Sequence, residues 1–114
     1  MKAFKDISNI HFIGIGGIGM SALARYFKKQ EKTVVGYDKT RTNLTDELIA
    51  EGIEVYFKEE VEYLDKTAEL VVYTPAIPEE NVILSYYRKN EYTVCKRSEA
   101  VSYTHLTLPT TPYV

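Results

Sequence analysis

The stretch that decides the fold reads Ile10-His11-Phe12-Ile13-Gly14-Ile15-Gly16-Gly17-Ile18-Gly19-Met20-Ser21. Its first part, residues 9–14, is a short apolar run that ends in glycine, which is typical of a buried parallel strand. From Ile18 onward apolar residues recur at helical spacing, and we predict a helix from Ile18 to about Gln30. The predicted inner face of this helix consists of Ile18, Ala22, Leu23, Tyr26 and Phe27.

Gly14 to Gly19 contain the pattern G-x-G-x-x-G, which recurs in proteins that bind dinucleotides. Gly14 permits a tight turn, Gly16 lets an anion approach the backbone without meeting a Cβ, and Gly19 lets the helix pack close to the strand. The free N–H groups at a helix start favour a diphosphate, and Ser21 offers an additional hydroxyl donor. The alternative is a glycine turn that only connects strand and helix.

The rest of the chain continues the alternation of strands and helices. Further strands are predicted at residues 33–37, 53–57, 70–73 and 92–95, and a weak turn or short helix near residues 61–64. A second helix is predicted to be capped by Asn43, to bury Leu44, Leu48 and Ile49, and to end at Gly52. A third is predicted to open at Pro78-Glu79-Glu80 and to face the sheet with Val82, Ile83, Tyr86 and Tyr87.

This order predicts an α/β fold, a Rossmann-like parallel sheet of about five strands with flanking helices. We assign residues 1–100 to one domain that binds a nucleotide diphosphate. All 14 basic and all 16 acidic residues precede residue 100, and residues 101–114 are rich in Thr, Pro and Tyr. We therefore interpret residues 101–114 as an atypical, non-native tail.

Two further segments are predicted at the carboxyl edge of the sheet, where ligands bind in such folds. Asp38 follows the second strand by the spacing expected of a residue that accepts hydrogen bonds from ribose hydroxyls or a base N–H. Its alternative is a solvated turn aspartate. Thr74-Pro75-Ala76-Ile77 follows the fourth strand, and its backbone N–H groups and the Thr74 hydroxyl are candidate donors. A purely structural proline-rich turn is the alternative there.

Other reactive side chains receive no catalytic role. We interpret His11, within the first strand, as a packed or partner-bonded histidine, and Cys95, the only cysteine, as a small core residue. His105 lies in the predicted tail and is assigned nothing. The sequence contains no G-x-x-x-x-G-K-[ST] loop, no metal-binding spacing of histidines or cysteines, and no G-x-S-x-G elbow.

The composition limits the classes of partner. A formal net charge of −2 argues against non-specific nucleic-acid binding, which needs a basic surface. No apolar run approaches the roughly 18 residues of a membrane span, and the amino terminus lacks the apolar core of a signal peptide. We therefore expect a cytoplasmic protein with neither a nucleic-acid nor a membrane partner.

The residues resemble the Mur ligase family of peptidoglycan synthesis. The resemblance rests on the string from Ile10 to Ser21 and then on Gly36-Tyr37-Asp38, Val72-Tyr73-Thr74-Pro75-Ala76-Ile77 and Lys96-Arg97-Ser98-Glu99, so that it covers roughly residues 7–100. It is strongest to the members that add L-alanine to UDP-N-acetylmuramate. Many members carry a histidine shortly after the third strand, where this chain has Lys58-Glu59.

The resemblance implies a substrate and a division of labour. It implies a first domain that binds the UDP moiety of UDP-N-acetylmuramate, a second that binds ATP and magnesium, and a third that binds L-alanine. In the family reaction an acyl phosphate forms on the muramyl carboxylate and is attacked by the amine of alanine. The diphosphate would be held by Gly14, Gly16, Gly17, Ile18, Gly19, Met20 and Ser21, the uridine end by Asp38, and the diphosphate–sugar side by Thr74, Pro75, Ala76 and Ile77.

The family's ATP loop has no counterpart in this sequence. The chain by itself is therefore expected to bind no ATP, magnesium or other cofactor, to contain no catalytic residue, and to be inactive alone. An NAD(P)-binding domain of an oxidoreductase or redox sensor is the alternative function, because fold does not fix function. A ligand-free interaction module is a third reading, which would leave the glycine loop unexplained.

Overall fold

The computed structural model describes residues 6–101 and contains a five-stranded, all-parallel sheet in the order β3-β2-β1-β4-β5. The predicted fold class is confirmed. Most of the predicted tail, including His105, lies outside the described residues. The strands are β1 (Asn9–Ile13), β2 (Thr33–Tyr37), β3 (Glu54–Tyr56), β4 (Leu70–Tyr73) and β5 (Val94–Lys96). The helices are α1 (Ile18–Lys29), α2 (Asn43–Ala50), α3 (Val82–Lys89) and α4 (Arg97–Ala100), with a 3₁₀ turn at Val61–Tyr63.

Strand β1 lies at the centre of the sheet and pairs with β2 on one side and β4 on the other. The chain leaves β1 toward β2 and β3, and later returns to the opposite side through β4. The strand order therefore reverses beside β1, which is where a crevice opens at the carboxyl ends of the strands in folds of this type. The segments that follow β1, β2 and β4 meet at this edge.

The buried face of α1 differs in part from the predicted one. Met20, Leu23, Ala24 and Phe27 are buried at positions i, i+3, i+4 and i+7, the spacing of one helical face. The predicted inner residues Ile18 and Ala22 are exposed, Ile18 to 85%. Because Ile18 is the first helical residue and lies off this face, its side chain does not reach the core.

Helix α2 begins with a different cap from the one predicted. The Thr42 hydroxyl accepts a hydrogen bond from the amide of Thr45, and the Thr45 hydroxyl accepts one from the amide of Thr42. This reciprocal capping box makes Asn43 the first helical residue rather than the cap. Thr45 and Leu48 are buried, whereas the predicted core residue Ile49 is 40% exposed. Gly52, at φ +94°, ends the helix as predicted.

The last two predicted elements also shift along the chain. Helix α3 starts at Val82 rather than Pro78, because Asn81 is the residue that caps it, and Val82 itself is 42% exposed. Strand β5 starts at Val94 rather than Tyr92. The amide of Tyr92 donates to the carbonyl of Tyr87, so Tyr92 belongs to the turn that ends α3.

Two apolar layers enclose the sheet. One side packs α1 and α2 against β1, with Phe12, Phe27 and Leu48 fully buried, and it includes Cys95 as predicted. Burial raises the pKa of the Cys95 thiol to about 11, which keeps it protonated. The other side packs α3 and the 3₁₀ turn segment on Val71 and Tyr73. Among residues 6–101 no helix combines the length and apolar character needed to cross a bilayer.

His11 is enclosed on the α3 side of the sheet, in agreement with its interpretation as a packed histidine. It is fully buried, its Nε2 lies 2.9 Å from the Tyr56 hydroxyl, and its ring contacts that of Tyr87. Its Nδ1 has no partner among the described residues. Burial lowers the pKa of His11 to about 4, although the charge on Asp65 acts in the opposite direction.

Protonation of His11 is expected to destabilise the fold. The folded pKa of about 4 lies below the unfolded value of 6.5, so the unfolded state binds the proton more tightly. The stability that neutral His11 provides is fully retained above pH 6.5 and decreases as the pH falls toward 4. The free energy of unfolding falls by about 3 kcal/mol over this range. Urea unfolding at a series of pH values measures it. His11→Gln, which does not titrate, should have a shallower slope over this range, and equal slopes would contradict the assignment.

Candidate functional site

The end of β2 fixes the glycine loop that follows β1. The carbonyl oxygen of Tyr37 accepts hydrogen bonds from the amides of Gly14 at 2.7 Å and Ile15 at 3.0 Å. Gly14 has φ +92°, a conformation that residues with a Cβ rarely adopt. A Cβ at Gly14 would also lie 2.6 Å from the Thr74 methyl carbon, so the loop after β4 approaches it closely. The chain thus turns sharply off β1, as predicted for Gly14.

Asp38 is bonded to the loop itself. Its Oδ2 accepts a hydrogen bond from the amide of Gly16 at 2.8 Å, and its Oδ1 accepts one from the amide of Thr40 at 3.0 Å. A Cβ at Gly16 would lie 2.7 Å from Oδ2 and 3.1 Å from the Thr45 methyl carbon. The space beside Gly16 is therefore filled by protein, not left open for an anion as the sequence predicted. Gly17 is exposed, and a Cβ there would make only ordinary contacts, the nearest with the carbonyl oxygen of Gly14 at 3.7 Å.

Three amides at the start of α1 remain available. No acceptor within residues 6–101 meets the amide nitrogens of Ile18, Gly19 and Met20, and no side chain caps this helix end. The next amide, that of Ser21, donates to the carbonyl of Gly17. Amides without an internal acceptor at the positive end of a helix dipole form an anion-binding arrangement.

The side chain of Ser21 does not join this arrangement. It is buried, and its hydroxyl donates to the carbonyl of Ile18 at 2.9 Å. Its only hydrogen is therefore used within the protein, so the predicted donor role is not supported. Met20 is also buried and offers only its backbone amide.

Arg97 lies against the same helix start. A Cβ at Gly19 would lie 3.2–3.3 Å from the Arg97 guanidinium group. The absent side chain at Gly19 therefore makes room for Arg97, rather than for the strand as the sequence predicted. Arg97 has no ion-pair partner among residues 6–101. A cation at the positive end of a helix is unfavourable by itself, and a bound anion would remove that repulsion.

A cavity of about 450 Å³ opens at this edge of the sheet. Such a volume falls within the range of small-molecule sites. Six of the residues predicted from the sequence line it, namely Gly14, Gly17, Asp38, Thr74, Ala76 and Ile77. The structure therefore brings together the ends of β1, β2 and β4 around one space.

The loop after β4 contributes unequally to the cavity. The amide of Ala76 donates to no acceptor within the described residues, whereas that of Ile77 donates to the carbonyl of Thr74 at 3.0 Å. Pro75 is exposed and does not line the cavity. Of the donors that the sequence predicted in Thr74 to Ile77, the Thr74 hydroxyl and the Ala76 amide therefore remain.

The remaining lining residues were missed by the sequence analysis. They are Tyr37, Lys39, Glu59, Pro78 and Asn81. Burial, together with the negative charges of Glu59 and Asp38, raises the pKa of Tyr37 and keeps its hydroxyl neutral. Asn81 stands directly before an apolar helical run, so the preference for asparagine at helix caps could have identified it. Glu59 carries no such signal, because its contact with α3 joins residues distant in sequence.

The model for the Mur ligase family, described as its catalytic domain, matches residues 9–104 of this chain. The chain belongs to the Mur ligase family. It is 48% identical over an alignment of 100 residues to UDP-N-acetylmuramate–L-alanine ligase of Porphyromonas gingivalis strain W83, and the match covers 83% of this chain and 22% of that protein. The enzyme of that name from Flavobacterium psychrophilum is also 48% identical over 100 residues, with 84% and 22% covered. This Mur ligase chain thus spans about a fifth of the length of these relatives.

Solved Mur ligase structures share the fold. UDP-N-acetylmuramate–alanine ligase from Thermotoga maritima superimposes with a TM-score of 0.81 at 29% identity, covering 87% of this chain and 23% of that one. The UDP-N-acetylmuramate:L-alanyl-γ-D-glutamyl-meso-diaminopimelate ligase from Neisseria meningitidis gives a TM-score of 0.77 at 26% identity, covering 84% and 30%. The Rossmann-like sheet predicted for this Mur ligase chain is therefore found in experimentally determined relatives.

Asp38→Asn is expected to loosen the glycine loop. Asparagine has one side-chain oxygen and would leave one of the two amides, Gly16 or Thr40, without an acceptor, at a cost of about 1–3 kcal/mol in unfolding free energy. Urea unfolding and hydrogen exchange of the Gly16 amide measure the effect.

Asp46→Asn provides the matched control, because Asp46 pairs with Arg41 on the surface. Asp46→Asn should reduce the free energy of unfolding by less than about 1 kcal/mol and leave hydrogen exchange of the Gly16 amide unchanged. If both variants protect the Gly16 amide as well as the unsubstituted chain does, the Asp38 bond does not hold the loop.

Proposed function

We propose that this chain binds UDP-N-acetylmuramate by its UDP moiety, as the N-terminal domain of a UDP-N-acetylmuramate–L-alanine ligase. The relatives named above carry that activity in their names. The observation that carries the proposal is the set of unoccupied amides at Ile18, Gly19 and Met20, beside a cavity that Gly14 and Gly17 line. A diphosphate is the part of the substrate that this arrangement suits.

The electrostatics of the helix start support a diphosphate in particular. The glycine loop contains no lysine or arginine, so the attraction for an anion comes from the backbone amides and the dipole of α1. Arg97 adds a full positive charge next to Gly19. Because Gly17 has no side chain, phosphate oxygens can approach the backbone there.

The rest of the nucleotide sugar would lie along the cavity. Asp38 lines it and retains lone pairs on both oxygens that can accept from ribose hydroxyls. Thr74 and the free amide of Ala76 would bind the diphosphate–sugar side. Ile77 supplies an apolar wall.

We propose a binding role without chemistry for this chain alone. Within residues 6–101 no three His, Cys, Asp or Glu side chains are grouped to hold a metal ion. The sequence contains no phosphate loop with lysine. The described residues therefore do not fit ATP and magnesium. ATP, magnesium and L-alanine would bind in other domains of the whole enzyme, in the cytoplasm.

The alternative function, an NAD(P)-binding domain of an oxidoreductase, has less support than the ligase function. The ADP-L-glycero-D-manno-heptose-6-epimerase of Helicobacter pylori shares the fold at a TM-score of 0.57, but at only 19% identity. That likeness shows the fold alone. The relatives at higher identity carry ligase names.

Calorimetric titration tests the proposed function. We expect the chain to bind UDP-N-acetylmuramate and UDP, to bind UMP at least ten-fold more weakly because the second phosphate is missing, and to show no response to NAD. Binding of NAD without any response to the uridine compounds would overturn the proposal.

Gly17→Val tests the position of the diphosphate. A Cβ at Gly17 would make no contact shorter than 3.7 Å, the larger valine side chain would occupy part of the cavity that Gly17 lines, and the extended backbone at Gly17, φ −68° and ψ 152°, accepts valine. UDP affinity should fall at least ten-fold while the circular dichroism spectrum is retained. Ala22→Val on the exposed face of α1 is the control and should bind UDP normally. Normal binding by Gly17→Val would place the diphosphate elsewhere.

A further inference from the structure

Tyr56, the last residue of β3, contacts the two residues that hold the glycine loop. It is paired with Tyr37 in the register of β2 and β3, and its carbonyl accepts a hydrogen bond from the amide of Asp38 at 3.1 Å. Tyr37 and Asp38 in turn accept the hydrogen bonds that fix the glycine loop. The position of Tyr56 therefore bears on the loop that precedes the free amides of α1.

The backbone of β3 by itself holds Tyr56 weakly. The strand has three residues and pairs with β2 alone, because it lies at the edge of the sheet. A short edge strand opens more readily than a central one, since its outer side makes no ladder bonds. Side-chain contacts must therefore supply part of the anchoring of Tyr56.

The side chain of Tyr56 supplies this anchoring by crossing β2. Its ring packs on that of Tyr37, with 5.6 Å between the ring centroids, and its hydroxyl lies 2.9 Å from Nε2 of His11. The hydroxyl reaches over β2 to do so, since β2 lies between β3 and the central strand β1. One hydrogen bond thus joins the edge strand to a fully buried side chain at the centre of the sheet.

The surroundings of His11 make this arrangement depend on a neutral imidazole. The ring is fully buried, and its Nδ1 has no partner within residues 6–101. The imidazolium carries a hydrogen on both nitrogens, so it would bury an unpaired N–H together with a charge. Protonation therefore favours an arrangement in which the ring leaves its place beside Tyr56.

The groups that surround His11 agree with a neutral ring. The titratable side chains on this side of the sheet near His11 are Tyr37 from β2, Glu54 and Tyr56 from β3, Tyr73 from β4, Tyr87 from α3, and Asp65 from the segment before β4. The charge on Asp65 favours protonation of His11, but burial outweighs it and lowers the pKa of His11 to about 4. The hydroxyl of Tyr87 donates to the carbonyl of Asp65 and is therefore not a partner for Nδ1.

We propose that Tyr56 and His11 are positioning residues for the diphosphate site and couple ligand binding to the protonation state of His11. Neither residue lines the cavity. Tyr56 acts through Tyr37 and Asp38, which hold the glycine loop and thereby the first turn of α1. The inference rests on the proposed function, because it assumes that the diphosphate binds at the start of α1. A ligand that needs the ordered loop favours the contact of Tyr56 with neutral His11, and the coupling is reciprocal.

Nuclear magnetic resonance of the His11 imidazole tests the coupling in the unsubstituted chain. The resonance is followed from neutral pH downward with and without saturating UDP, and His11→Gln distinguishes it from that of His105, the other histidine. We expect UDP to lower the pKa of His11, so that proton binding weakens about 5-fold or more, the lower end of typical couplings between sites. A bound anion that acted only through its charge would raise this pKa instead. Circular dichroism at each pH restricts the comparison to folded protein.

Tyr56→Phe tests the route of the coupling, because it removes the hydroxyl and keeps the ring on Tyr37. Its UDP affinity at neutral pH should fall about 2- to 10-fold, the contribution of one hydrogen bond. UDP should also no longer lower the pKa of His11 in this variant. Tyr92→Phe is the matched control, since its hydroxyl donates to the carbonyl of Lys66 and Tyr92 lies outside the cavity. The control should retain both the UDP affinity and the change in the pKa of His11.

The possible failures are distinguishable. If UDP binds but leaves the pKa of His11 unchanged or raises it, the coupling is overturned and the diphosphate site stands. If folded Tyr56→Phe binds UDP as tightly as the unsubstituted chain, or retains the change in the pKa of His11, the role of Tyr56 is overturned. Should Tyr56→Phe fail to fold, the measurement on the unsubstituted chain decides. Absence of UDP binding would overturn the proposed function, and this inference with it.

Discussion

The structure depends on how the end of β2 holds the loop after β1. The carbonyl of Tyr37 accepts hydrogen bonds from the amides of Gly14 and Ile15, and the carboxylate of Asp38 accepts one from the amide of Gly16. The four successive amides of Gly14 to Gly17 are bonded inside the protein, that of Gly17 to the carbonyl of Gly14, and the next three meet no acceptor within residues 6–101. The internal bonds set the direction of α1, so that its first turn faces outward.

This constraint explains a glycine outside the loop. A Cβ at Gly36 would lie 2.4 Å from the Cδ1 and 2.7 Å from the Cβ of Ile15, too close for any side chain. Ile15 is fully buried at this point and closes the core beneath the loop. The glycine in β2 therefore lets the loop after β1 lie against the strand that bonds it. The packing of Ile15 on Gly36 and the hydrogen bonds from Gly14 and Ile15 to Tyr37 together determine the geometry of the glycine loop.

The sequence predicted the strands and the site best where composition and local geometry agree. Compact β-branched or apolar runs identified β1, β2 and β4, and the glycine pattern placed the loop between β1 and α1. The errors arose where burial depends on neighbours distant in sequence. Ile18 and Ala22 fit a helical period, but the sheet covers the face of Met20, Leu23, Ala24 and Phe27 instead. The open space predicted beside Gly16 is absent because Asp38, which follows β2 and is distant in sequence, fills it.

Nuclear magnetic resonance of the ¹⁵N-labelled chain tests the central claim, that backbone amides at the start of α1 form the seat of the diphosphate. On addition of UDP, the amide resonances of Ile18, Gly19 and Met20 should shift most, and uridine without phosphate should leave them in place. The internally bonded amides of Gly14 and Ile15 should shift less. Saturating UDP that moves resonances elsewhere but leaves Ile18, Gly19 and Met20 unchanged would contradict the account.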